Sequence, residues 1–317
     1  MLAAMAYMEK EYQLLSKKDG LALAVLFKGP AENHVDRCRG IVQIVHGMSE
    51  YKERYRPFMT YLAEHGFASI IHDHRGHGNS VRSEADYGFM YEVGTDGFLE
   101  DVLQVNELAV QLLPDKPVIM VGHSMGSLAA RSLMREHDGC VDAMILSGAP
   151  CKNPAVNVAM GLAAFQKKLF GPHHKAGMLE RMSFMTYVSR FWREKSRFAW
   201  VCADPQVVEA YDRDPKCGFT FTVDGFQVLF ELMKRTYTKE GWKCSNPKLP
   251  ILFVAGGEDP CIANEAKYQE EQQFLKDLGY RDVQAILYDN MRHEIFNEQE
   301  KYKVFDDIQR FLTQKGF

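Results

Sequence analysis

Gly122-His123-Ser124-Met125-Gly126 stands between an apolar run at 118–121 and a segment with helically spaced apolar residues at 125–137. A chain that passes from strand to helix so abruptly must turn sharply. A serine on that turn needs neighbours without side chains two residues to each side. The turn lifts the hydroxyl clear of the sheet and aims the first N–H groups of the helix at whatever binds there. Ordinary residue usage yields this glycine–serine spacing roughly 0.1 times in a chain of this length. The flanking strand and helix turn the match into a strand–turn–helix motif with an exposed nucleophile.

The rest of the chain supplies a sheet for that turn. Apolar runs at 21–27, 41–46, 67–72, 117–121, 143–147, 251–255 and 283–288 read as strands, most of them continuous rather than alternating. Continuous runs suit parallel strands covered on both faces. Segments 54–64, 95–113, 125–137 and 301–312 carry apolar residues at helical spacing, with Thr95 as the expected N-cap of the second. The alternation predicts an α/β fold with a mostly parallel sheet between layers of helices. It breaks at 151–244, a stretch rich in Phe, Met, Tyr and Trp and divided by Pro154, Pro172, Pro205 and Pro215. This stretch is expected to be a helical insertion in a core made of 1–150 and 245–317.

Net charge is −4 over 317 residues, which argues against nucleic acid as a partner. Seven scattered cysteines without a CxxC pair argue against a disulfide framework and for a reducing, cytoplasmic setting. The first thirteen residues lack a basic region and bring Glu9 and Glu11 early, so they do not read as a signal peptide. No uncharged run is long enough to cross a membrane.

A serine hydroxyl needs a base. Among eleven histidines, His293 lies between the last strand and the last helix, at the carboxyl edge of the sheet where ligands gather. His123 is expected to turn away from the serine. The base needs an acid to hold its tautomer. Asp259, just past the strand at 251–255, is that acid, with adjacent Glu258 as the alternative. An oxyanion site is expected from the N–H of Met125 and that of Met48, in the loop His46-Gly47-Met48-Ser49-Glu50, with His46 a structural hydrogen-bonder beneath it. Activity is expected to fall below about pH 6–7 as the base protonates. The histidines of 72–80 lack the spacing of a zinc site, and Asp73 and Arg75 are expected to tie that loop to its neighbours. Neither a metal nor a cofactor is expected. Cys261, two residues past Asp259, should lie close to the site.

The blocks HGMSE (46–50), DHRGHGNS (73–80), GHSMG (122–126), GGEDP (256–260) and MRHEIFNE (291–298) together resemble the monoacylglycerol lipase and lysophospholipase-like branch of the α/β-hydrolases, also grouped with serine aminopeptidase-like hydrolases. The resemblance covers about residues 10–150 and 245–317. It implies an eight-stranded, mostly parallel sheet with a helical cap after the sixth strand. It also implies cofactor-free ester hydrolysis through an acyl-enzyme, with Ser124, Asp259 and His293 as triad and Met48 and Met125 as oxyanion donors. The substrate would be a small or lipid ester, with transient membrane-surface contact through the cap. An amidase, aminopeptidase or carbon–carbon hydrolase could use the same triad, and a non-catalytic binding protein could use the same fold.

Overall fold

Residues 7–317 are described by a computed structural model of the chain. The strands are β1 (Tyr7–Leu15), β2 (Ala22–Pro30), β3 (Gly40–Val45), β4 (Phe67–His72), β5 (Val118–His123), β6 (Ala143–Ser147), β7 (Ile251–Gly256) and β8 (Val283–Tyr288). They form one sheet in the order β1-β2-β4-β3-β5-β6-β7-β8. β2 is antiparallel to β1 and β4, and every other pair is parallel.

The two-residue period of a strand sends alternate side chains to opposite faces, and the sheet has a separate core on each. Ile41, Val45 and Met120 join one cluster; Val42, Ile44, Ile119 and Val121 join the other. Helices α1 (Arg56–Glu64) and α9 (Lys301–Gln314) cover the second face with Phe58, Leu62, Ile308 and Leu312. Helices α2 (Gly94–Leu112), α3 (Met125–His137) and α8 (Glu265–Asp277) cover the first.

Four helices stand between β6 and β7: α4 (Val156–Phe170), α5 (Gly177–Arg190), α6 (Pro205–Arg213) and α7 (Val223–Thr236). The four prolines of this stretch sit at their edges, Pro205 opening α6 as its first residue. α7 buries Phe226, Leu229, Phe230 and Leu232 in the same cluster as the α3 residues Leu128 and Leu133. α4 and α5 together bury only Ala163, Gln166 and Leu179.

Three local expectations are corrected. β1 was not anticipated: Tyr-Met-Glu-Lys-Glu-Tyr-Gln-Leu-Leu is an edge strand, mostly exposed, held by its antiparallel ladder to β2 rather than by an apolar run. α8 was missed because its buried stripe is only Tyr268, Glu271 and Leu275. Thr95 does not cap α2. The helix begins at Gly94 after Val93, and the Thr95 hydroxyl is buried without a partner. Residues 1–6, part of the segment read for a leader, lie outside the described residues.

α3 is held to α8 by an ion pair sealed from water. Arg131 Nη1 lies 2.7 Å from Glu271 Oε2, with both side chains at most 2% exposed. Burial pushes the Glu271 carboxyl up to about 6 against the pull of Arg131. Removing one partner strands the other charge, so Arg131→Met should cost about 3–5 kcal/mol of folding stability in urea unfolding. A loss below about 1 kcal/mol, typical of exposed pairs, would mean that the pair does not hold α3 in place.

Candidate active site

Ser124 sits between β5 and α3 with φ 51° and ψ −117°, a conformation non-glycine residues rarely hold. The surrounding glycines explain how the turn fits. A Cβ on Gly126 would come within 1.9 Å of the Val45 carbonyl oxygen, and one on Gly122 within 2.7 Å of the Gly126 carbonyl oxygen. The elbow is therefore wedged against β3 with no room for side chains. No hydrogen bond ties down the Ser124 hydroxyl among the described residues, and the residue opens onto a cavity of about 680 Å³.

His293 follows β8 and reaches the same cavity. Its Nδ1 lies 2.9 Å from Asp259 Oδ2, with Asp259 fully buried and His293 nearly so. Asp259 Oδ1 accepts from the Cys261 N–H at 2.8 Å, which fixes the carboxylate beside the ring. Burial draws the His293 pKa down, but the Asp259 carboxylate opposes it, and the net position is well above the ordinary 6.5. Glu258 does not approach His293. It is partly exposed, with its Oε2 3.5 Å from Arg292 Nε. His123 turns toward Ser147, its Nδ1 3.2 Å from the hydroxyl, and packs its ring 4.7 Å from that of His293.

Met48 and Met125 both line the cavity. Met125 is the first residue of α3, so its N–H has no acceptor within the helix. The Met48 N–H has no partner among the described residues. The loop carrying Met48 rests on a buried network absent from the sequence-based reading. Glu50 Oε1 accepts from the Gly47 N–H at 2.5 Å and from the Tyr55 hydroxyl at 2.9 Å. Arg54 joins Glu50 to Glu294, the neighbour of His293, through bonds of 3.0, 2.6 and 2.5 Å. Burial and the nearby Glu294 raise the Glu50 carboxyl to about 7. The hint was in the sequence: Glu50 ends the HGMSE block, Arg54 follows four residues on, and Glu294 adjoins His293.

The histidine-rich loop after β4 is internal structure. His46 Nε2 accepts from the His74 N–H at 3.0 Å, and His77 Nε2 accepts from the Ser49 N–H at 3.2 Å. Burial lowers His72 to about 3 and His77 to about 4, so both are neutral. Asp73 receives Lys52 at 3.0 Å and the Asn79 N–H at 2.8 Å. Arg75 binds Asp101 at 2.7 Å and Asp19 at 3.1 Å.

The roof of the cavity comes from the insertion: Phe184, Tyr187 and Val188 of α5, Trp200, and Leu229, Phe230 and Met233 of α7. The Trp200 ring lies 5.1 Å from that of His293. The residues from Cys151 to Trp200 include nine Lys and Arg but only two acids, Glu180 and Glu194. Val158, Phe165, Leu169, Phe170 and Met182, which do not line the cavity, are each more than half exposed, as are Met185 and Trp192 at the cavity itself.

An eight-stranded sheet with a serine elbow, a buried Asp–His pair and a helical roof invites comparison with enzymes of known structure. A carboxyl esterase from Bacillus coagulans, solved in complex with glycerol, superposes with a TM-score of 0.85 at 26% identity, covering 98% of this chain and 99% of that one. A monoacylglycerol lipase of Mycolicibacterium smegmatis is 26% identical over 275 residues, 87% of this chain and 88% of the relative. A human monoglyceride lipase is 30% identical over 284 residues, 87% of this chain and 83% of the relative. The class is an α/β-hydrolase of the lipase and esterase type. Residues 36–300 match the family described as serine aminopeptidase, S33, and the chain belongs to it, on the monoacylglycerol lipase and lysophospholipase-like side.

Proposed function

We propose that the chain hydrolyses carboxylic esters of apolar acyl chains, such as monoacylglycerols or lysophospholipids, through an acyl-enzyme on Ser124. The observation that carries this reading is the buried Asp259–His293 pair at 2.9 Å, opening on the same apolar-roofed cavity as the strained Ser124. His293 Nε2 takes the Ser124 proton as Oγ attacks the ester carbonyl; the hydrogen bond between them forms when substrate is bound. Asp259 holds Nδ1–H and offsets the imidazolium charge. The N–H groups of Met48 and Met125 receive the oxyanion. His293 passes the proton to the leaving alcohol. Water then attacks the acyl-enzyme, giving its proton to His293, and collapse of the second tetrahedral intermediate returns it to Ser124 and frees the acid.

The core of this enzyme is 1–150 and 245–317, and 151–244 is its cap. The cap supplies the acyl site through Phe184, Leu229, Phe230 and Met233. Its outer face pairs exposed apolar side chains with a local excess of positive charge, and so rests transiently on anionic lipid surfaces. No helix among the described residues is long and apolar enough to cross a membrane. The seven cysteines are free, which suits the cytoplasm.

The test is acid release from monoacylglycerols of increasing acyl length in neutral and in phosphatidylserine-containing vesicles. Long acyl chains should be preferred, with faster release on the anionic vesicles at low salt. Turnover confined to aminoacyl amides would overturn the ester reading. Equal rates on the two vesicles would remove the membrane contact.

A further inference from the structure

Cys261 has no part in the chemistry above, yet its sulfur lies beside the nitrogen that His293 offers to the cavity. Cys261 Sγ lies 3.8 Å from His293 Nε2. Both residues are only 4% exposed in total, and both line the cavity. Zinc bonds are about 2.3 Å to sulfur and about 2.0–2.1 Å to imidazole nitrogen. One ion seated between the two atoms at those lengths subtends an angle of about 120°, that of trigonal or open tetrahedral coordination.

We infer that Cys261 Sγ and His293 Nε2 form a binding site for a soft divalent cation such as Zn²⁺, which shuts the active site reversibly. Three features of the structure build the site. Asp259 Oδ2 engages His293 Nδ1 at 2.9 Å, which orients the ring and turns Nε2 to the cavity, as carboxylates do behind zinc-bound histidines. The Cys261 N–H donates to Asp259 Oδ1 at 2.8 Å, so the sulfur is held to the same carboxylate as the ring. Asp259, Cys261 and His293 place ligand atoms within 4.8 Å of one another, and no other group of three among the described residues does so. Water from the cavity completes the coordination. Binding releases the thiol proton and, where His293 is protonated, the Nε2 proton to solvent, so affinity rises with pH.

The ion takes the lone pair that would accept the Ser124 proton. Inhibition therefore rests on His293 being the base, whereas binding does not. The two are separated by reading both. Zinc binding is followed by competition with a chromogenic chelator and, with Co²⁺, by the thiolate-to-metal charge-transfer band. The proteins are wild type, Cys261→Ser, His293→Gln and, as a control, Cys151→Ser; Cys151 donates its N–H to the Cys261 carbonyl. One ion per chain should bind the wild type and the control with the thiolate band present. Loss of either ligand should weaken binding by about 100-fold or more. Ester hydrolysis, each variant read against its own metal-free rate, should be blocked by Zn²⁺ in the wild type, restored by EDTA, and insensitive in Cys261→Ser. Undiminished binding in Cys261→Ser, or a wild type that binds no ion, would overturn the site. Cys261-dependent binding that leaves turnover intact would keep the site and remove His293 from its role as base.

Discussion

Ser124→Ala is expected to lower kcat for a carboxylic ester by about 10⁶-fold, with little change in KM. The substitution removes one oxygen and nothing else that shapes the cavity. Alanine carries the same Cβ as serine, so the cost of φ 51° is already met by the wild-type elbow. Adding His293→Ala to Ser124→Ala should then lose little more, because a nucleophile and its base fail together. Steady-state rates normalised to folded protein measure this. A single mutant within about tenfold of wild type would mean that the acyl group is carried elsewhere.

Asp259→Asn should lower kcat by about 10⁴-fold, since an amide can hold the imidazole in the wrong tautomer. The same residue sets the pH profile. A base works only when neutral, so activity is lost as pH falls through its pKa. Burial alone would pull the His293 pKa down; the Asp259 carboxylate reverses this and carries it well above 6.5. The acid limb of kcat/KM is therefore expected above pH 6.5 in the wild type. In Asp259→Asn the largest raising charge is gone, burial still acts, and the limb should move to lower pH. Glu258→Gln is the contrast: its carboxylate is partly exposed beside Arg292, and both rate and limb should stay near wild type.

What could be read in advance followed from local chemistry. The elbow was legible because two glycines are required by backbone contacts that admit no Cβ. Asp259 and His293 could be singled out because each follows a strand on the edge that Ser124 occupies, and their side chains do meet at 2.9 Å. β1 and α8 were not legible, since an edge strand and a surface helix need few apolar residues, and Thr95 looked like a cap while the helix had already begun at Gly94. The Glu50–Arg54–Glu294 network joins residues 240 positions apart, which no local pattern encodes. The basic stretch from Cys151 to Trp200 was present in the sequence but averaged away in a net charge of −4.

The segment between β6 and β7 is stitched to the loops of Ser49 and His293 along its second half. The Glu294 N–H donates to the Val201 carbonyl at 2.7 Å, the Gly218 N–H to Ser49 at 3.0 Å, and the Tyr211 hydroxyl also to Ser49 at 3.0 Å. α7 is anchored deeper still, in the core beside α3. α7 in turn carries the outer helices: the Val223 and Asp224 N–H groups donate to the His174 and Pro172 carbonyls at 2.8 and 3.1 Å, and the Ala176 N–H to the Phe221 carbonyl at 2.9 Å. Exchange of 198–236 would therefore shift the loops of Ser49 and His293 and, through α7, the outer helices as well.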